Sequence, residues 1–141
     1  MSQNKRAQAG FTLIEIMLVV VIIGVLMGIV AVRYSGQQEK ARVNSTLAEI
    51  RNYGTALNLF ELDNGFFPTT EQGLKALETK PSTPPEPKNW KRYLDSPVRN
   101  DPWGNAYIYK RPGDQRPDAY DLSSHGPDGE EGTEDDVANW K

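Results

Sequence analysis

A long apolar block near the N-terminus constrains this chain more than any other feature. Residues 11–32 read FTLIEIMLVVVIIGVLMGIVAV, and only two strongly polar side chains interrupt the block, both close to its start. A helix over this range, at about 1.5 Å per residue, matches the roughly 30 Å hydrocarbon core of a bilayer. Lys5 and Arg6 precede the block. The positive-inside rule therefore predicts a cytoplasmic N-terminus and an external segment over residues 33–141.

An ordinary secretory signal peptide explains this block poorly. The block is longer than the hydrophobic region of such peptides, and Ile29-Val30-Ala31 is a poor cleavage site. A simple signal anchor accounts for the length and the orientation, but it leaves Glu15 unexplained. An ionisable group inside an apolar segment costs about a few kcal/mol, and less near the interface, so we expect Glu15 to have a partner.

Two partners are open to Glu15. Its carboxylate can lie shallow enough to reach lipid headgroups and water, or it can pair with a positive charge held at the same depth. Cleavage between Gly10 and Phe11 would create such a charge, because a free α-amine has a pKa of about 8. In a stack of helices, the amine of one copy can meet Glu15 of the next copy and set the axial register.

The helix is predicted to continue beyond the apolar block. One face between residues 43 and 60 is apolar at helical spacing, which is typical of an amphipathic helix. This face consists of Val43, Leu47, Ile50, Gly54, Leu57 and Phe60. Asp63-Asn64-Gly65 then supplies a C-terminal stop, so we predict one helix from Phe11 to about Asp63.

The remainder of the chain predicts short elements. Thr69 and Gln72 have capping-box spacing, which predicts a helix over about residues 70–79. Residues 105–110 and 118–123 are aromatic-rich strand candidates. Asp101-Pro102-Trp103-Gly104 predicts a turn. The expected fold class is therefore α+β, in which a long N-terminal helix, half membrane segment and half amphipathic, packs on a small antiparallel sheet.

The C-terminal region is strongly acidic. Residues 118–136 carry eight Asp and Glu side chains and no Lys or Arg. Such a region repels nucleic acid, so a cation or a basic partner is expected instead. Carboxylates and flexible glycines between Ser123 and Asp136 suit Ca²⁺, although the spacing is not that of an EF-hand. Composition alone favours a solvated acidic loop over a calcium site, and both remain open on this basis.

An enzymatic function is disfavoured. The chain has one histidine, His125, and no cysteine. A catalytic zinc site or a histidine-based catalytic centre would need companions that are not present in the sequence. No nucleophile–base pair can be identified either. We therefore expect the protein not to be an enzyme.

The N-terminal string Gly10-Phe11-Thr12-Leu13-Ile14-Glu15, with its basic leader and the apolar block, resembles the processing signal of type IV prepilins and pseudopilins. The resemblance implies that a prepilin peptidase cuts after Gly10 and methylates the new amine of Phe11. It also implies that Glu15 is needed for assembly. The expected organisation is a cleaved leader over residues 1–10, a transmembrane and filament-core helix over residues 11–32, and a type IV pilin-like periplasmic domain over residues 33–141.

Three further blocks sharpen this resemblance. The strings LDNGFFPTTEQGLKAL, DPWGNAY and SSHGPDG, followed by a DD pair and NW, are similar to those of the major (G-type) pseudopilins of bacterial type II secretion systems. The resemblance implies a structural subunit that polymerises into a helical filament and helps to export folded proteins across the outer membrane. The alternative is the major subunit of a surface type IV pilus, used for adhesion, motility or DNA uptake.

The family resemblance also implies partners and a location. The expected partners are further copies of the chain, the prepilin peptidase, minor pseudopilins, an inner-membrane platform with a cytoplasmic ATPase, the outer-membrane secretin and membrane lipid. No nucleic acid partner is expected. The subunit would be a single-pass protein of the bacterial inner membrane, with its C-terminal domain and its filament in the periplasm.

G-type pseudopilins bind a structural calcium ion in the loop that corresponds to about residues 123–136. Carried across by position, the resemblance implies carboxylate ligands from Asp128, Asp135 and Asp136. It adds an oxygen from Ser123 and the backbone carbonyl of His125. Calcium would then close this loop in a chain that has no disulfide.

Overall fold

The computed structural model describes residues 11–141, and for residues 30–35 it describes the backbone only. The predicted leader and Gly10 lie outside the described residues. The elements are α1 (Leu13–Asn64), a short 3₁₀-helix (Leu74–Leu77), β1 (Ile108–Lys110), β2 (Asp121–Ser124) and β3 (Val137–Ala138). The chain divides into two compact units, one up to Glu39 and one over residues 40–141. Helix α1 contributes residues to both units.

The start of α1 is closed by a reciprocal pair of hydrogen bonds. The Thr12 amide donates to Oε2 of Glu15 at 3.4 Å, and the Glu15 amide donates to Oγ1 of Thr12 at 3.3 Å. This capping box satisfies amide groups that have no partner within the helix. The large apolar side chains from Phe11 to Ile29 are between 47% and 81% exposed. Within the described part of the chain, no helix reaches the length and hydropathy needed to cross a membrane.

In the second unit, α1 buries the face that its periodicity predicts. Ile50 is 2% exposed, and Leu57 and Phe60 are completely buried. Thr46, Tyr53 and Ala56 are buried on the same face and widen it. The helix ends at Asn64, and the Gly65 amide donates to the Glu61 carbonyl at 2.6 Å. Gly65 has a φ of 82°, which is the left-handed conformation that stops many helices.

The sheet is small and antiparallel, with strand order β1-β2-β3. Tyr109 pairs with Leu122, and Ser123 pairs with Ala138. These elements confirm the predicted α+β class, but the strands are shorter than predicted and β3 was not predicted. Residues 118–120 are not in a strand because the Asp121 carboxylate holds the preceding loop, accepting the amides of Gln115 at 2.7 Å and Arg116 at 3.1 Å.

The predicted helix over residues 70–79 is wrong in length and type. Its capping box does form, because the Thr69 amide donates to Oε1 of Gln72 at 3.1 Å and the Gln72 amide donates to Oγ1 of Thr69 at 3.2 Å. Gly73 then adopts a φ of 57° and a ψ of −164°, which cannot continue an α-helix. Only the 3₁₀ turn follows, although Leu74 and Leu77 are buried as predicted.

Aromatic side chains fill the space between α1, the loops and the sheet. Tyr53 meets Tyr107 edge-on at 5.3 Å between ring centroids, and Tyr109 stacks on Tyr120 at 5.7 Å. Tyr109 is buried, and its hydroxyl donates to the Pro68 carbonyl at 2.7 Å. Burial raises the pKa of the Tyr109 phenol well above its ordinary value.

Candidate metal centre and assembly motif

The predicted assembly motif lies at the first turn of α1. Phe11 is 81% exposed, and Glu15 is the only charged residue from Phe11 to Ile29. The Glu15 carboxylate accepts the Thr12 amide, so in this state it caps its own helix. The predicted cleavage site at Gly10 lies outside the described residues. Glu15 lies one turn from Phe11. Its carboxylate can therefore either cap its own helix or pair with a nearby amine.

The acidic loop connects two paired strands. Ser124 of β2 pairs with Val137 of β3, so the two ends of the loop meet. This closure brings Asp128 near Asp135, whose Oδ2 accepts the Asp128 amide at 3.4 Å. The Thr133 hydroxyl donates to Oδ1 of Asp135 at 2.6 Å. These hydrogen bonds, that of Thr133 first, lower the pKa of Asp135 from its ordinary value, so its carboxylate is favoured in the charged form.

Asp136 contributes an oxygen atom without a donor. Its Oδ2 accepts the Gly132 amide at 2.8 Å. Its Oδ1 is buried and has no hydrogen-bond partner among the described residues. A buried carboxylate oxygen is costly unless a donor or a cation satisfies it. This unpaired oxygen lies next to Asp135 in the chain, and an oxygen of this kind could be satisfied by a cation that prefers oxygen ligands.

The described residues contain no group of three His, Cys, Asp or Glu side chains close enough to hold a metal ion. A cation here would therefore depend on backbone oxygens as well as carboxylates. The predicted Ser123 lies in β2 and is 8% exposed, and no hydrogen bond joins its side chain to the loop in the part of the chain that the structure describes. The ring of His125 has a buried Nε2 with no partner in the same part.

Sequence reasoning missed residues that shape the loop. Ser124, rather than Ser123, uses its hydroxyl at the start of the loop, where it donates to Asp101 and accepts the Gly126 amide. Gly126 has a φ of 64°, and a Cβ there would lie 2.5 Å from the Asp135 carbonyl oxygen. Only glycine fits this position. The one available signal was the Asp of the DPWG turn, which was interpreted as a turn former alone.

Comparison with known proteins assigns the chain to a family. The family model for protein G of the type II secretion system matches residues 33–140. The chain belongs to this family. The model of the prokaryotic N-terminal methylation motif matches residues 5–31. The two matches together cover both the processing signal and the folded unit.

Individual relatives agree with the family assignment. The type II secretion system core protein G of Escherichia coli strain K12 is 47% identical over 135 residues, covering 94% of this chain and 91% of the relative. The Pseudomonas aeruginosa protein of the same description is 46% identical over 143 residues, covering 97% and 98%. The crystal structure of the major pseudopilin of enterohaemorrhagic E. coli is similar with a TM-score of 0.66 at 39% identity, covering 74% of this chain and 87% of that chain.

The family assignment decides between the functions that the sequence left open. The chain is a structural subunit of the type II secretion pseudopilus and is not an enzyme. The alternative of a surface type IV pilus is not favoured. The type IV pilin-like fold expected from the sequence is confirmed by the structural similarity.

Proposed function

We propose that copies of this chain, after cleavage behind Gly10, polymerise into a periplasmic filament from a pool held in the inner membrane. Each subunit would cross that membrane once, with its N-terminus in the cytoplasm and residues 33–141 in the periplasm. The observation that carries this proposal is the exposure of every large apolar side chain from Phe11 to Ile29, which none of the described residues of the first unit covers. Lipid covers these side chains before assembly, and neighbouring subunits cover them afterwards.

Glu15 sets the order of assembly in this proposal. Cleavage gives Phe11 a methylated, positively charged amine in the same turn as Glu15. An incoming subunit then offers its Glu15 to the amine of the subunit before it, and this pairing removes an uncompensated charge from an apolar environment. A neighbouring subunit in the correct axial register is therefore more stable than one that is shifted along the filament axis. The carboxylate leaves its local hydrogen bond with the Thr12 amide for a stronger, charged partner.

The proposed partners follow from this cycle. A prepilin peptidase supplies the new amine, and an inner-membrane platform with a cytoplasmic ATPase supplies the force for adding subunits. Minor pseudopilins begin the filament, and the outer-membrane secretin passes the exported proteins. The acidic surface of residues 128–136 argues against a role in binding nucleic acid.

We also propose a structural Ca²⁺ in the loop between β2 and β3. Asp128, Asp135 and Asp136 would hold it with the His125 carbonyl and an oxygen from Ser123. The bound ion supplies positive charge that neutralises mutually repelling carboxylates and cross-links the two ends of the loop. The proximity of Asp128 to Asp135 and the unpaired Oδ1 of Asp136 support this proposal.

A deletion in the native host tests the secretion function. Exoproteins are measured in the medium and the periplasm, and twitching motility is measured in parallel. We expect exported proteins to accumulate in the periplasm while motility is normal, and the full chain supplied in trans to restore export. Normal export with lost motility or lost surface fibres would overturn the proposal in favour of a surface pilus.

A calcium titration of the full chain in detergent micelles tests the metal site. Calcium at about 100 times its dissociation constant adds about 2.7 kcal/mol of stability, so the melting temperature of the parent should rise by several degrees. Asp128→Ala should abolish this rise. Glu130→Ala is the matched control, because Glu130 is an exposed acid of the same loop outside the predicted ligand set. Equal melting of Asp128→Ala and the parent in calcium would contradict the site.

A further inference from the structure

Asp101 is a buried carboxylate that lies outside the acidic loop. It is 4% exposed, and none of the ion pairs in the described chain includes it. Its Oδ1 accepts the amides of Trp103 at 3.1 Å and Asn105 at 2.8 Å, which closes the DPWG turn. Its Oδ2 accepts the hydroxyl of Ser124 at 2.6 Å. Three donors therefore hold this carboxylate in one orientation, and one of them belongs to the strand that leads into the loop.

The Ser124 hydroxyl acts as a relay with a defined direction. Ser124 is completely buried, and its single hydroxyl proton is directed to Asp101. An ionised carboxylate can only accept, so the serine must donate to it. The lone pairs of Oγ then remain free to accept, and the Gly126 amide donates to them at 3.2 Å. The carboxylate thus determines the direction of both hydrogen bonds: Ser124 donates to Asp101, and the Gly126 amide donates to Ser124.

The relay also orients the neighbouring carbonyl group. The cis peptide bonds among the described residues precede Pro85 and Pro112, so the bond between His125 and Gly126 is trans. In a planar trans peptide, the amide N–H and the carbonyl oxygen point in opposite directions. Because the Gly126 N–H points to Ser124, the His125 carbonyl oxygen points away from it. Asp135 packs directly against Gly126, where a Cβ would lie 2.5 Å from the Asp135 carbonyl oxygen.

We propose that Asp101 and Ser124 are positioning residues for the cation loop. They hold the peptide between His125 and Gly126 so that the His125 carbonyl is presented to the ion and not to Ser124. This inference rests on the calcium site proposed above. A second contact supports the same coupling of the two loops: the Asn105 side chain lies 3.5 Å from the point that a Cβ of Gly129 would occupy.

Asp101→Asn is the sharpest test because it changes the chemistry without changing the shape. The amide oxygen of the new side chain must remain at the Oδ1 position to accept the two backbone amides of the turn, so its NH₂ group faces Ser124. The Ser124 hydroxyl then accepts from this NH₂ group, and its own proton loses the carboxylate that had fixed its direction. The lone pair that accepts the Gly126 amide is no longer held in one direction, so the anchor of this peptide is weakened. Ser124→Ala removes the relay by a second route.

The experiment uses the full chain in detergent micelles and compares the parent, Asp101→Asn, Ser124→Ala and Tyr109→Phe. Tyr109→Phe is the matched control, because it also removes one buried hydrogen bond, to the Pro68 carbonyl, away from the loop. Two quantities are measured: hydrogen exchange of the Gly126 amide without calcium, and the calcium dissociation constant from the melting temperature across a calcium titration. Helical circular dichroism verifies the fold of each variant.

We expect both relay variants to accelerate Gly126 exchange and to weaken calcium binding about 10- to 100-fold, as is typical when residues that support metal ligands are removed. Tyr109→Phe should lower the melting temperature and leave both quantities unchanged. Unchanged calcium binding in Asp101→Asn would overturn the positioning role, whether or not exchange is faster. A parent without any calcium response would overturn the calcium site itself. If Ser124→Ala fails to fold, Asp101→Asn decides the question.

Discussion

The two halves of α1 contain similar residues in opposite surroundings. Leu13 is 79% exposed and Met27 is 69% exposed, whereas Leu57 and Phe60 in the same helix are completely buried. The same helical structure therefore does not determine whether an apolar side chain is buried or exposed. The second half is stabilised by the loops and sheet of its own chain. The described residues of the first unit give the first half no such cover, and lipid or other copies supply it in the assembly proposed above.

The difference between the halves is visible in their patterns. The residues from 13 to 29 are apolar around the whole helix, apart from Glu15 and two glycines. The residues from 43 to 60 place apolar side chains on one face and charged ones mostly elsewhere. A helix that is apolar on all sides needs an apolar environment on all sides, whereas an amphipathic helix needs one partner surface. In the assembly proposed above, the first half of this helix serves polymerisation and the second half serves folding.

The largest effect is expected at the one charge of the first half. Glu15→Ala should abolish filament assembly and export, while the chain still enters the membrane and is still cleaved, because the pairing with the Phe11 amine is lost together with the local cap on the Thr12 amide. Pelleted filaments and cleavage are measured in the same cells. Glu15→Gln sharpens the test, since its amide oxygen can still accept the Thr12 amide. Normal assembly of Glu15→Gln would show that the local cap is sufficient and that the charge pairing is wrong.

The next effect concerns the folded half. Phe60→Ala should lower the free energy of unfolding by about 3 to 5 kcal/mol, because Phe60 is fully buried and its removal leaves a cavity. Urea unfolding of the full chain in micelles, followed by tryptophan fluorescence, measures this loss. Leu18→Ala is the counterpart in the first half, where Leu18 is 60% exposed. A comparable loss in Leu18→Ala would break the comparison between the two halves.

The core against the second half should also respond to alkaline pH. Burial raises the pKa of Tyr107 to about 12, whereas an unfolded tyrosine titrates near pH 10. The folded state therefore binds more protons between pH 10 and 12, and its stability falls with rising pH by about 2 to 3 kcal/mol from this group. Tyr107→Phe should flatten the decline in that window. An unchanged slope of unfolding free energy against pH would contradict this assignment.

The smallest effect on stability is expected at Leu62, an exception within the second half. Leu62 is 81% exposed and lies near the end of α1. Leu62→Ser should change the free energy of unfolding by less than about 0.5 kcal/mol, as exposed positions usually do. We expect less filament from cells that carry this variant, since the proposed assembly would bring a neighbouring subunit against this exposed leucine. A loss above about 1 kcal/mol in the urea experiment would instead show that the single chain already uses it.

The sequence predicted the elements whose signals are local and repeated. The amphipathic face and the stop at Gly65 follow from helical periodicity and from a left-handed cap, so α1 could be predicted almost to its last residue. The turn at Asp101 followed from its residue types. Strand β3 could not be predicted, because two residues carry no periodicity and this strand exists only through its pairing with Ser123 and Ser124.

The errors arose where tertiary contacts override local preference. The capping box at Thr69 formed as predicted, but the backbone of Gly73 redirected the chain into a single 3₁₀ turn. Strand β2 begins at Asp121 because that carboxylate is used to hold the preceding loop. The relay through Ser124 was not predictable, since it joins residues 23 positions apart and depends on the burial of both. The metal ligands remain predictions that calcium binding must test.

The shortness of the sheet has a consequence for a subunit that must polymerise. Its outer strands are β1, with three residues, and β3, with two. Long, open strand edges recruit other chains through backbone hydrogen bonds and grow into amyloid-like ladders, whereas short edges and lysines such as Lys110 on β1 discourage this. Subunits at high local concentration are therefore less prone to pair through their sheet edges, which would compete with filament assembly. The short edges of the sheet therefore favour association of subunits through surfaces other than the sheet.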